Sequence, residues 1–295
     1  MMLLATIRQF LIKVLSQSAP RESMNWLDEQ VVKVTGAKGN MKLFLAFSQA
    51  SRYFSKETLA LDESDQATAR EIRSGFQPSF WTTLQTARTI LVLEAVSEKN
   101  DDWIPTLDKL FESADMHELE ALYAALPLYP FPEKLKKRAS EGLRTNITSV
   151  FDAIALNNPY PAEFLDEPAW NQLVLKAIFM QRPLYRITGA DARANVNLAK
   201  TLVDYVHERW SAGRNVMPEL WRFLSPFADM EILGMFEKVL KEGSKLEKEA
   251  VTLACFHSEH AGCKELLDRY PDYLAAIREG SLYWAAVGES YDLER

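Results

Sequence analysis

DEPAWNQLVLKAIFMQ, residues 166–181, is the stretch whose reading decides the fold. Asp166 is a residue type that caps a helix by accepting a backbone N–H, and Pro168 falls in the first turn, where a missing N–H is harmless. Trp170, Leu173, Val174, Leu175, Ala177, Ile178 and Phe179 follow. At about 100° per residue these apolar side chains cover almost the whole circumference, the pattern of a helix surrounded by other helices. Little solvent is left for Asn171, Gln172 and Lys176, so they are expected to join an internal polar network or line a pocket.

Outward from this segment the period stays helical. Downstream, Asn195 is placed to cap a helix that runs through Trp210 and stops at Gly213, and helical patterns recur at 218–224, 229–241, 244–256, 261–269 and 272–278. Upstream, they occupy 26–34 with Asn25 as cap, 41–54, 62–74, 80–96, 103–113, 116–126, 134–144 and 147–156; Asn157-Asn158-Pro159-Tyr160-Pro161 then breaks the pattern. The β-prone stretches 31–34 and 90–96 sit inside longer helical patterns, so no strand is expected.

The expected fold class is all-α. Ala114-Asp115-Met116 reappears as Ala228-Asp229-Met230, and Lys134-Leu135 to Ala139 resembles Lys245-Leu246 to Ala250. Paired helices of roughly 40 residues are the unit of HEAT-like solenoids. The spacing therefore predicts stacked antiparallel helical hairpins, a HEAT-like α-α superhelix, with an N-terminal helical region 1–113 and a second region 114–295 continuing the same stack.

Composition narrows the function classes. Eleven glycines in 295 residues are few for a doubly wound sheet, which needs glycine at its strand-to-helix turns. The net charge of −7 repels phosphate backbones and anionic headgroups, so neither nucleic acid nor a membrane surface is expected as a partner. Two cysteines, Cys255 and Cys263, are too few for a secreted disulfide scaffold and suit a reducing cytoplasm. Near the N-terminus Arg8 and Lys13 interrupt the apolar run, and Leu4, Ile7, Leu11 and Val14 form the stripe of a docking helix rather than a signal peptide. No apolar run approaches the roughly 20 residues needed to span a bilayer. The expectation is a soluble cytoplasmic protein without membrane insertion.

Motifs that would name a reaction are missing: no phosphate-cradling glycine loop, no nucleophile elbow, no paired Cys-x-x-Cys and no H-E-x-x-H. Cys255, His257, His260 and Cys263 are zinc-type ligands, but within one helix positions 255 and 257 diverge by about 200°, and the bland reading of buried thiols and surface histidines is preferred. No metal and no cofactor is expected. Asp204, His207 and Glu208 share one helix face at three and four spacing, which suits either an acid-base pair or an ordinary solvated stripe. Arg209 falls among the apolar positions instead, and a guanidinium there is expected to find a carboxylate on a neighbouring helix, with Asp152, Glu163, Asp166 and Asp191 as candidates. Tyr160, Tyr185 and Arg186 lie in the irregular connections on either side of the 166–181 helix, where binding residues concentrate. The candidate ligand site is therefore Tyr160, Asn171, Lys176, Tyr185, Arg186, Asp204, His207, Glu208 and Arg209.

NPYPAEFLDEPAWNQLVLKAIFM (158–180), PLYRI (183–187), DYVHERW (204–210) and PELW (218–221) together resemble the EboA family, most specifically over residues 115–229. The resemblance implies a bacterial protein encoded in a cluster beside a prenyltransferase-like membrane protein and several enzyme-like partners. That cluster is associated with making or exporting a secondary metabolite, in cyanobacteria a sunscreen pigment. It brings no catalytic residues. Three readings follow: an accessory scaffold or binding protein, an enzyme using Asp204, His207 and Glu208, or a carrier with a pocket walled by Trp170, Tyr185 and Trp210.

Overall fold

The computed structural model describes residues 4–36 and 39–294. Every regular element among them is helical, and the only extended pairing is an isolated antiparallel bridge between Thr58 and Thr82. By contact the chain separates into two compact units, Met1–Leu165 and Asp166–Arg295.

The first unit contains α1 (Leu4–Ser18), α2 (Arg21–Thr35), α3 (Met41–Gln49), α4 (Glu63–Ile72), α5 (Thr83–Ala95), α6 (Ile104–Ser113), α7 (Met116–Ala124), α8 (Lys136–Gly142), α9 (Thr148–Ala155) and α10 (Tyr160–Phe164). Starts are set by capping chemistry. Asp62 with Asp65, Thr82 with Gln85 and Asp115 with Glu118 each form a reciprocal box that satisfies two otherwise orphaned N–H groups. Helix α5 packs against α1, α2, α3 and α7, which explains why almost all of its residues from Thr83 to Leu93 are buried. One of them is Arg88. Its Nε donates to the Phe47 carbonyl at 3.1 Å, its guanidinium lies over the Phe47 ring, and Nη2 is 3.5 Å from Glu118.

The second unit contains α11 (Glu167–Phe179), α12 (Val196–Ser211), α13 (Met230–Glu242), α14 (Lys245–Phe256), α15 (Ala261–Leu267), α16 (Pro271–Arg278) and α17 (Trp284–Leu293), with a 3-10 turn at Pro218–Phe223 between α12 and α13. Here α14 is central, packing on α13, α15, α16, α17 and the 218–223 turn. Ser244 and Glu247 box its start.

Several expectations need correction. Helix α2 begins at Arg21, directly after Pro20, so Asn25 is interior and caps nothing. The 134–144 pattern splits because Pro132 opens a 3-10 turn ahead of α8. Helix α11 is not enclosed: Trp170, Leu173, Val174, Ala177 and Ile178 are buried, but Phe179 is 80% exposed. Helix α17 was not expected, since Gly288 and sparse apolar residues blur its period. The two Ala-Asp-Met triplets are matched caps, Asp115 on α7 and Asp229 on α13, whereas Lys134-Leu135 lies in a 3-10 turn and Lys245-Leu246 opens a full helix.

Candidate functional site

Helices α12 and α13 flank an open groove of about 410 Å³. Val196, Ala199, Val203, Phe227 and Ile232 form its apolar surface, and Lys200, Asp204, Asp229 and Glu231 stand around it. Such a volume and mixed lining suit a small organic molecule. Two of these charges have a traceable role. Asp229 is spent capping α13, accepting N–H groups of Glu231 and Ile232 at 3.0 Å each. His207 Nε2 lies 2.9 Å from Glu231 and so ties α12 to α13. Asp204 and Lys200, both exposed, have no charged partner among the described residues. Val196 and Met230, at 49% and 76% exposure, extend the apolar character to the rim.

Of the residues named from sequence, Asp204 lines this groove and His207 reaches it through Glu231. Glu208 is exposed on α12. Arg209 departs from its expected role: its Nε and Nη2 both donate to the Asn215 carbonyl, at 3.0 and 2.9 Å. The side chain is long enough to pass the helix end, so it reaches a loop carbonyl rather than a buried acid. Two of its expected partners serve other arginines, Asp191 taking Arg222 and Glu163 taking Arg73. Asn171 exchanges amide hydrogen bonds with Asn195, at 3.1 and 2.7 Å, and Asn195 caps α12. Asn171 is thus fixed at the first turn of α12 and Arg209 at its last, about 20 Å apart at 1.5 Å per residue. They do not form one site.

Lys176 is half-buried, and burial lowers its ammonium pKa. Arg186 is half-buried in the turn after α11. Tyr160 belongs to the first unit, where it is wholly buried, with its hydroxyl donating to the Pro132 carbonyl at 2.6 Å and burial raising its pKa. Tyr160 is a packing residue. Trp170 is wholly buried beneath Arg193, and Trp210 packs on Trp221 under Lys238. The four zinc-type residues near the C-terminus do not converge. Cys255 and Cys263 are free and buried, His257 is exposed, and His260 caps α15 through Gly262. Among the described residues no group of three or more His, Cys, Asp or Glu is placed to hold a metal ion.

A second constellation escaped the sequence reading. Glu219, wholly buried in the 218–223 turn, accepts the N–H groups of Leu184, at 3.0 Å, and Tyr185. Arg222 grips Asp191 with two bonds of 2.7 Å and lies over Trp284, leaving its Nη1 3.9 Å from Glu219 Oε1. Burial drives the Glu219 carboxyl up to about 7 despite that guanidinium. Helix α17 closes over the pair at Gly288, where a Cβ would stand 2.2 Å from the Tyr185 ring and 2.9 Å from the Glu219 carboxyl carbon. The available signal was a lone charge in the apolar run Val216-Met217-Pro218-Glu219-Leu220-Trp221, with Arg222 three residues on.

The α12–α13 groove, of a volume that suits a small organic molecule, is the candidate site. The sequence profile of a family described as metabolite traffic protein EboA matches residues 7–225, and the chain belongs to that family. The match includes most of the N-terminal hundred residues, where the resemblance is faint, and it stops short of α13 to α17. No curated protein and no solved structure matches the chain. No helix among the described residues is long and apolar enough to cross a membrane.

Proposed function

We propose that this chain is an accessory binding protein of metabolite traffic, which holds a small pathway molecule in the α12–α13 groove and presents it to proteins of the same cluster. The observation carrying this reading is how the family-like segments are used. Asn158, Tyr160, Trp170, Leu184 and Glu219, from NPYP, DEPAW, PLYRI and PELW, are buried and engaged in packing or hydrogen bonds to backbone. DYVHERW presents Asp204, His207 and Glu208 outward from α12, with Asp204 lining the groove and His207 bonded to Glu231 at its edge. Within the second unit the buried residues of DEPAW, PLYRI and PELW support the fold, and the α12–α13 face carries the groove that a carrier or scaffold requires.

In this reading the helices stack as hairpins, HEAT-like in outline, for which the consecutive packing of α13, α14 and α15 is the support. The partners are cluster-encoded proteins, a prenyltransferase-like membrane protein among them, met from the cytoplasmic side. Native mass spectrometry on chain isolated from cells that make the metabolite tests the proposal. A bound mass that persists in His207→Ala is expected for a binding protein. Bare protein would refute that reading, and substrate accumulating on His207→Ala would favour the enzyme alternative that employs Asp204, His207 and Glu208.

A further inference from the structure

We propose that the first unit carries a separate ligand pocket, formed where α4 turns back toward α5, that takes a small anion, a carboxylate or a phosphate, borne on an apolar body. The pocket encloses about 320 Å³. Gln66 and Arg70 line it from one face of α4, four residues apart and therefore stacked on adjacent turns. The chain then reverses at Gly75, whose φ of 78° is left-handed, and returns along the opposite wall to Ser79. Phe76 and Pro78 supply apolar surface.

Its chemistry is one-sided. No carboxylate lines the pocket, although the chain as a whole carries a net charge of −7. Arg70 has no acidic partner among the described residues; Glu63, on the same face of α4, lies outside the lining, and the other acids nearby are engaged. Asp62 and Asp65 close the α4 capping box, Asp65 also receives Lys13 at 2.8 Å, and Glu163 is taken by Arg73. Glu71, the next residue, projects about 100° away on the helix. The backbone N–H groups of Gly75 and Ser79 donate to no acceptor among the described residues, and neither does the Ser79 hydroxyl. A guanidinium, a side-chain amide, two backbone N–H groups and a hydroxyl around one cavity form a donor set that an anion satisfies. Arg70 also complements the C-terminal end of the α4 dipole. That role needs neither a cavity nor the additional donors.

The test is isothermal titration of the full chain with two probes, phenyl phosphate and phenylacetate, at low ionic strength. Binding of either probe, weakened about tenfold or more by Arg70→Glu and largely preserved by Arg70→Lys, is expected, since a point charge keeps the attraction but not the bidentate geometry. Ser79→Ala, which deletes one donor and no charge, is expected to weaken binding by a smaller factor. Arg214→Glu makes the same charge change at an exposed position elsewhere and should leave affinity unchanged. Which probe binds identifies the head group. Failure of both probes, binding that survives Arg70→Glu, or equal loss in Arg214→Glu overturns the proposal, with circular-dichroism melts confirming that each variant is folded.

Discussion

Glu219 has no access to solvent, and Arg222 stands 3.9 Å away with its strongest bonds committed to Asp191. A carboxyl whose folded pKa is raised holds its proton more tightly folded than unfolded. Its contribution is greatest below the unfolded value and is lost as pH rises from 4.5 towards about 7. That rise corresponds to roughly 3 kcal/mol. Urea denaturation at pH 5 and pH 8 should therefore show wild type losing stability with rising pH by up to that amount more than Glu219→Gln; parallel profiles would contradict the assignment. Arg88 is the counterpart in the first unit. Arg88→Ala leaves Glu118 buried beside a void and should cost about 3–5 kcal/mol by the same measurement. Arg209→Ala removes only hydrogen bonds to the Asn215 carbonyl at a partly open helix end, so a loss of about 1 kcal/mol or less is expected. The lone charge in the apolar run 216–221 marks Glu219 as unusual without showing its fate, and Arg88 is not legible at all, because an ion buried in an apolar run looks identical to one that reaches solvent. Only the packing of α1, α2, α3 and α7 around α5 reveals that Arg88 has nowhere to go.

At the scale of elements, three helices end by the same device. In α12 the Gly213 and Arg214 N–H groups bond the Trp210 and Arg209 carbonyls; in α16 Gly280 and Ser281 bond Ile277 and Ala276; in α11 Gln181 and Arg182 bond Ile178 and Ala177. Each is a Schellman closure with its pivot residue left-handed, at φ 66°, 75° and 55°. Glycine takes that conformation freely, and glutamine is strained there by about 1 kcal/mol or more. Gln181→Gly should accordingly raise stability by roughly 0.5–1 kcal/mol. Gly213→Ala, with nothing within 4 Å of the new Cβ, should lower it by about 1 kcal/mol through φ alone. Thermal melts of both variants check the pair, and the same sign for both would refute the strain argument. Glycine advertises the turn at 213; Gln181 does not, and the helical period runs on through residue 181. Caps were the more readable end. Asp115, Asp166, Asn195, Asp229 and Ser244 sit where an acceptor side chain precedes an apolar period, whereas Asp62 opens a polar helix and Asn25, placed by the same rule, caps nothing.

For the whole molecule, apolar period announced the all-helical class, since no segment alternates with the pleat of a strand. The candidate site was legible only in part. Asp204 and His207 declared themselves by sharing a polar face of α12, but the groove also needs Phe227 and Ile232, which nothing in the sequence pairs with α12. Asn171 and Arg209 seemed to belong together through their neighbourhood in sequence, and the length of α12 separates them. What remains is a chain whose α12–α13 face carries an open groove. Blocking that groove tests the account most directly. Native mass spectrometry should find a bound metabolite mass on wild-type chain and on Lys241→Trp, an exposed position near the far end of α13, and bare protein for Val203→Trp, where the indole fills the groove. Retention of the mass by a folded Val203→Trp protein would contradict it.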